Sequence, residues 1–148
     1  MMKRIFCAFG LLMALVACGK IDTEITKETP KYVGSVIVEN DGPQTFGNVG
    51  VQVAFDDASG VMEMKILKVR FASMMPRMDV TIQSVPFVRS VENGVETVAF
   101  SGDNIIPFAV GAYQSKYIVT DLEGSIVGNR MEFSLNFGQY PTVYSGVM

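Results

Sequence analysis

Histidine and tryptophan are both absent from the 148 residues, which removes the most used general base and the most used transition-metal ligand together. Carboxylates, thioethers, phenols and two thiols remain to do chemistry. Asp41 beside Gly42, the pair Asp56-Asp57, and Asp121 with Glu123 are the carboxylates that could bind calcium or act as an acid/base couple. The first three fall at expected hairpin ends, where an Asp side chain bonds the local backbone, and Asp121 and Glu123 share one strand face. No EF-hand spacing joins them. Met74, Met75 and Met78 could offer copper(I) a soft thioether set, although methionine also fills irregular packing where Pro76 interrupts a strand pattern. Phe108, Tyr113, Tyr117 and Tyr140 fall at or near expected loops, either as a contact surface or as plugs for the ends of a β structure. GxSxG, the P-loop and the dinucleotide fingerprint are missing, so no nucleophile, cofactor or metal is assigned and no enzymatic activity is expected.

The two thiols lie near the N-terminus. Lys3 and Arg4 precede an almost unbroken apolar run from Ile5 to Val16, shorter than the about 20 residues of a spanning helix. It fits the roughly 7 to 15 residue core of a cleaved export signal. Leu15-Val16-Ala17-Cys18 then resembles the lipobox of bacterial lipoproteins, which implies acylation at Cys18 and membrane attachment through N-terminal acyl chains. Residues 1–17 are therefore expected to be a signal peptide, which carries Cys7 away with it. The remaining 131 residues suit one domain, and with Cys18 alone they can form no internal disulfide. Loss of Lys3 and Arg4 moves the net charge from −3 to −5, which argues against a nucleic-acid partner.

Residues 18–30 mix charge with threonine and read as a tether of roughly 40 Å at about 3.3 Å per residue. Gly19 in place of Asp after the cysteine favours the outer membrane over the inner. Asp22 and Glu24 resemble the acidic signal of surface lipoproteins in Bacteroidetes, so both the periplasmic and the cell-surface side are consistent.

From residue 31 to residue 148 the apolar period is two, with β-branched and aromatic residues between glycine-containing turns. Strands are expected over 31–39, 48–56, 61–69, 78–89, 95–101, 105–111, 116–127, 130–137 and 142–147. Val49, Val51, Val53 and Phe55 share one strand face, as do Met131, Phe133, Leu135 and Phe137, and Val80 with Ile82. Ile118, Leu122 and Ile126 make a less clean set. A single sheet would leave these faces wet, so the sheet is expected to close or to pack on another. Tyr32-Val33-Gly34 and Tyr144-Ser145-Gly146 suggest that the first and last strands pair, closing an all-β antiparallel barrel of about eight strands.

The ordered segments YVGSVIVEN, FGNVGVQVAFDDASGVMEMKILKV, DVTIQSVPF, LEGSIVGNRMEFSLNF and the terminal YSG resemble the calycin-like (lipocalin-like) β-barrel lipoproteins of Bacteroidetes. The resemblance runs from Tyr32 to Gly146 and is thinnest over 91–115. It implies an up-and-down barrel, export and a lipid anchor, but no specific activity. Two functions fit. One is a barrel whose interior takes a small hydrophobic ligand; the other is a side-chain-filled barrel whose loops contact an envelope protein or glycan.

Overall fold

The computed structural model describes Ile25 and residues 29–148. The expected signal peptide, Cys18 and the acidic pair Asp22 and Glu24 lie outside the described residues, as does most of the expected tether. Ten strands follow: β1 Lys31–Glu39, β2 Pro43–Asp56, β3 Val61–Val69, β4 Met78–Glu92, β5 Val95–Gly102, β6 Phe108–Ala109, β7 Ala112–Tyr113, β8 Val119–Val127, β9 Arg130–Phe137 and β10 Tyr140–Val147. The order β3-β2-β1-β10-β9-β8-β5-β4, with β3 also paired to β4, makes a closed antiparallel barrel of eight strands. β6 and β7 form a small side hairpin that joins β4 through Val80–Ala109 and Thr81–Phe108.

The turns use residues that tolerate a left-handed backbone. Asp41, Gly42, Gly60, Asn93, Gly94, Gly128 and Gly138 all have positive φ. Between turns the alternation holds, so Tyr32, Val36 and Val38 of β1 and Thr142, Tyr144 and Gly146 of β10 face a common interior.

Four strands carry one extra residue. Asn48 in β2, Lys68 in β3, Ser84 in β4 and Asp121 in β8 have φ of 57, 58, 59 and 53°. Each sits where the register with a neighbour slips. Such bulges add one residue to one side of a ladder and bend the strand. Here they keep apolar residues inside across a spacing of three: Phe46 to Val49, Ile66 to Val69, Ile82 to Val85, and Val119 to Leu122. The expected β8 face is corrected accordingly: Val119 is buried where Ile118 was expected, because the bulge at Asp121 shifts phase ahead of Leu122.

Nearby side chains take up the backbone groups that the bulges free. The Lys68 N–H donates to Asp79 Oδ1 at 3.1 Å and the Asp121 N–H to Asp103 Oδ1 at 3.2 Å. Arg77 Nη1 donates to the carbonyls of Gly47 and Lys68 at 3.0 and 2.7 Å, tying the β2 and β3 bulges together.

The expected strand over 105–111 is also corrected. Only Phe108–Ala109 pairs as a strand, because Pro107 has no N–H to donate and the chain reverses at Val110-Gly111. The expected strand over 116–127 starts late, at Val119, after a short 3-10 turn at Ser115–Tyr117.

Closure runs through β1 and β10, with Gly34 opposite Gly146 and Val36 opposite Tyr144. A Cβ on Gly146 would collide with the Tyr144 hydroxyl, so glycine there opens the space that the phenol fills. From it Tyr144 Oη donates to the carbonyl of Val49 at 3.2 Å, and its ring stacks on Phe133 at 5.0 Å. Burial raises the Tyr144 phenol well above the usual tyrosine range, and neighbouring Tyr32 adds to the effect.

Gly146→Ala is expected to cost about 2 kcal/mol by overpacking, and Tyr144→Phe about 1 kcal/mol by orphaning a buried carbonyl, both measured by urea unfolding. The native state holds the Tyr144 proton more tightly than the unfolded chain does. Its contribution to stability is therefore constant below about pH 10 and is lost as pH rises above that, so the alkaline fall in stability is shallower in Tyr144→Phe.

Candidate interaction site at the loop end of the barrel

An up-and-down barrel has two ends, and the chain enters at one of them. Lys31 starts β1 at the end that also holds the turns at 57–60, 93–94 and 128–129; call it the tether end. The loops at 40–42, 70–77, 103–118 and 138–139 lie at the other, the loop end.

The interior between them holds the protein's own side chains. Tyr144, Phe71, Phe137, Met62, Met64, Ile82, Leu122 and Met131 are all under 2% exposed. The ten residues expected to line the barrel divide by burial. Val49, Val51, Val80, Ile82, Met131, Phe133, Leu135 and Phe137 are buried, while Val53 and Phe55 are half-buried near the tether end. There Arg89 lies over the Phe55 ring at 4.4 Å and the Phe87 ring at 5.4 Å. Asp57 and Glu96 hold its guanidinium at 2.8 and 3.1 Å, so this end is capped by a cation on two aromatic rings.

The loop end is built differently. Phe71, Phe137 and Tyr117 form a column of near-parallel rings, with centroids 3.9 and 5.2 Å apart. Beside it opens a cleft of about 330 Å³, with Tyr117 and Phe137 on one side, Met75, Pro76 and Met78 on a second, and Ala109, Val110 and Gln114 on a third. The β6–β7 hairpin that forms the third wall is held firmly. Gln114 Nε2 donates to the Ala109 carbonyl at 2.7 Å, the Gln114 N–H to the Pro107 carbonyl at 2.8 Å, and Tyr113 Oη to Gln83 Oε1 at 3.2 Å. Around the cleft, apolar side chains face water: Met74 is 94%, Val110 79% and Tyr113 61% exposed, with Phe108 and Ile106 partly so.

The four expected loop aromatics divide into two pairs. Tyr117 and Tyr140 pack against the core, whereas Phe108 and Tyr113 form an exposed edge-to-face pair at 5.2 Å. The three methionines divide as well: Met75 and Met78 pack on the core, and Met74 stands in solvent.

The candidate carboxylates do not converge. Asp56 is buried and accepts from the Ser59 N–H at 3.2 Å, Asp57 binds Arg89, and Asp41 sits exposed at the β1–β2 turn. Asp121 Oδ2 accepts from Asn136 Nδ2 at 3.2 Å and, with Glu123, lines an outer groove of about 450 Å³ against Pro86. Among the described residues no group of three acidic or cysteine side chains is placed to hold a metal ion.

Val110 is the least expected member of the site. It is β-branched, solvent-exposed and held at a φ of 53°, a conformation that costs such a side chain about 1–2 kcal/mol. Asparagine suits this turn position better. Val110→Asn is therefore expected to raise stability by about 1 kcal/mol in urea unfolding, and an unchanged or lower midpoint would contradict the strain.

Compared with family models, curated proteins and solved structures, the chain matches none of them.

Proposed function

We propose that this protein is a lipid-anchored barrel of the cell envelope, akin to the calycin-like lipoproteins, that works by contacting a partner protein through its loop end. The observation that carries this reading is the cleft at the loop end and what stands around it. Both ends expose apolar side chains, among them Val91, Val95, Val127 and Val147 at the tether end, but at the loop end Met74, Val110, Phe108 and Tyr113 stand in water beside a cleft of about 330 Å³, whereas at the tether end a paired arginine covers the rings of Phe55 and Phe87. Exposed apolar clusters of this kind mark interaction surfaces on soluble domains. A filled interior also leaves less reason to place a small ligand inside the barrel, which favours the interaction reading over the carrier reading.

Orientation supports the same conclusion. An acyl chain on Cys18 would join the domain through Lys31, which makes the loop end the end farther from the point of attachment. A protein partner is favoured over a glycan because Met74 and Val110, the most exposed members of the cluster, offer sugar hydroxyls no strong hydrogen-bond partner.

Two measurements test the reading. A photoreactive amino acid in place of Tyr113 is expected to give a discrete crosslinked protein in intact cells, and the same group in place of Ser90 is not. Equal crosslinking from both positions, or none from Tyr113, would count against a loop-end contact. Cys18→Ser is expected to abolish incorporation of labelled palmitate and to release the protein from the membrane fraction; persistent labelling would remove the anchor.

A further inference from the structure

The outer surface of β2 is covered where the outer surfaces of other strands are not. On β9 and β10 the outward positions Glu132, Ser134, Val143 and Ser145 are exposed. So is Ala99 on β5, although strands flank it on both sides at Val88 and Ser125. In β2, Val51, Val53 and Phe55 sit opposite the buried Ile66, Met64 and Met62, so alternation turns Gln52, Ala54 and Asp56 outward. Yet these three are only 7, 1 and 2% exposed. The turn that follows covers Asp56 in part, since the Ser59 N–H donates to its carboxylate, but Ala54 has no such neighbour. Glu63 is its one strand partner, because β1 begins at Lys31 opposite Gln52 and leaves residues 53–56 unpaired on that side among the described residues. Ala99 stays exposed between two strands, so a single strand neighbour does not account for the burial of Ala54.

The chain just ahead of β1 is in place to supply the cover. Gln52 Nε2 donates to the Thr29 carbonyl at 2.9 Å, and Thr29 is half-buried although it precedes the first strand. Ile25 is half-buried as well, in a stretch from residue 19 to residue 30 whose only other large aliphatic side chain is Ile21. We propose that the barrel domain begins at Ile25, and that Ile25 and Thr29 form a strap on the outer face of β2 with the Ile25 side chain seated beside Ala54. Gln52 fixes the strap at Thr29, and the small Ala54 leaves a seat for a branched side chain. The strap also covers backbone of residues 53–56 that β1 does not reach. It is independent of the loop-end contact, whereas its consequence for reach rests on the anchor at Cys18 proposed above. Residues 18–24 span about 23 Å at about 3.3 Å per residue, against roughly 40 Å for residues 18–30, so the strap holds the barrel nearer the bilayer.

The chain has no tryptophan, so Ile25→Trp installs a single fluorescent reporter in the full protein and Asp22→Trp a matching control. Ile25→Trp is expected to emit at shorter wavelength than the control and to be quenched by acrylamide about threefold less, because its ring is withdrawn from water. Ala54→Lys fills the seat with a charged side chain and is expected to bring the emission and quenching of Ile25→Trp to the control values, while circular dichroism checks that the barrel persists. Should Ala54→Lys unfold the barrel, Gln52→Ala removes the bond to Thr29 and is expected to raise the quenching instead. Equal emission and quenching at positions 25 and 22 would overturn the strap. So would protection at position 25 that disappears on dilution, which would mean that a second copy supplies the cover, or protection that neither substitution changes. The measurement is made in detergent and needs neither acyl chain nor partner, so it reads the strap whether or not the anchor and the loop-end contact hold.

Discussion

The pairing of β1 with β10, from Val33–Val147 to Val38–Thr142, removes the last backbone edge from the sheet. An open eight-stranded meander would expose two rows of unpaired N–H and C=O groups and one wet apolar face. Closure satisfies the backbone groups and turns the apolar face into a shared interior. The seam is closely packed, since the Tyr144 phenol fills the space that Gly146 leaves and donates to the Val49 carbonyl on β2, one strand beyond β1. No cysteine lies among the described residues, so this seam and the side chains it encloses must hold the barrel together.

Closure has a geometric cost that the four bulges absorb. Strands in a small barrel must coil, and an extra residue in a left-handed conformation bends the strand and re-aims the side chains beyond it. The bulges in β2 and β3 are stitched to each other by Arg77, and Asp79 and Asp103 hold the freed N–H groups of Lys68 and Asp121. Charged residues that look available for catalysis or metal binding are thus engaged in shaping the wall. The same economy applies at Asp57, whose carboxylate anchors the arginine over Phe55 and Phe87.

The consequence for function is a molecule with two unlike ends. One is sealed by a paired cation on aromatic rings. The other opens into a cleft bordered by Met74, Val110 and the exposed Phe108–Tyr113 pair and held by the hydrogen bonds of Gln114 and Tyr113. Val110 fits this picture: a strained turn residue that contributes little to the fold yet presents an apolar surface at the tip of the hairpin.

Much of this architecture is written in local pattern. Alternation of apolar residues identifies the inward faces of β2, β4 and β9, glycine and asparagine mark the turns, and the paired YVG and YSG motifs point to closure. These features are legible because a strand has a period of two and a turn needs particular φ angles, both properties of neighbouring residues. The bulges were less visible, although a spacing of three between inward residues, as at Phe46 and Val49 or Val119 and Leu122, is their trace in the chain. What only the tertiary structure decided is the cleft. Met75, Ala109, Tyr117 and Phe137 come from four separate stretches, and nothing local in any one of them specifies that they meet. Their meeting depends on strand register around a closed ring and on how side chains from opposite walls share one volume, and both are properties of the whole barrel.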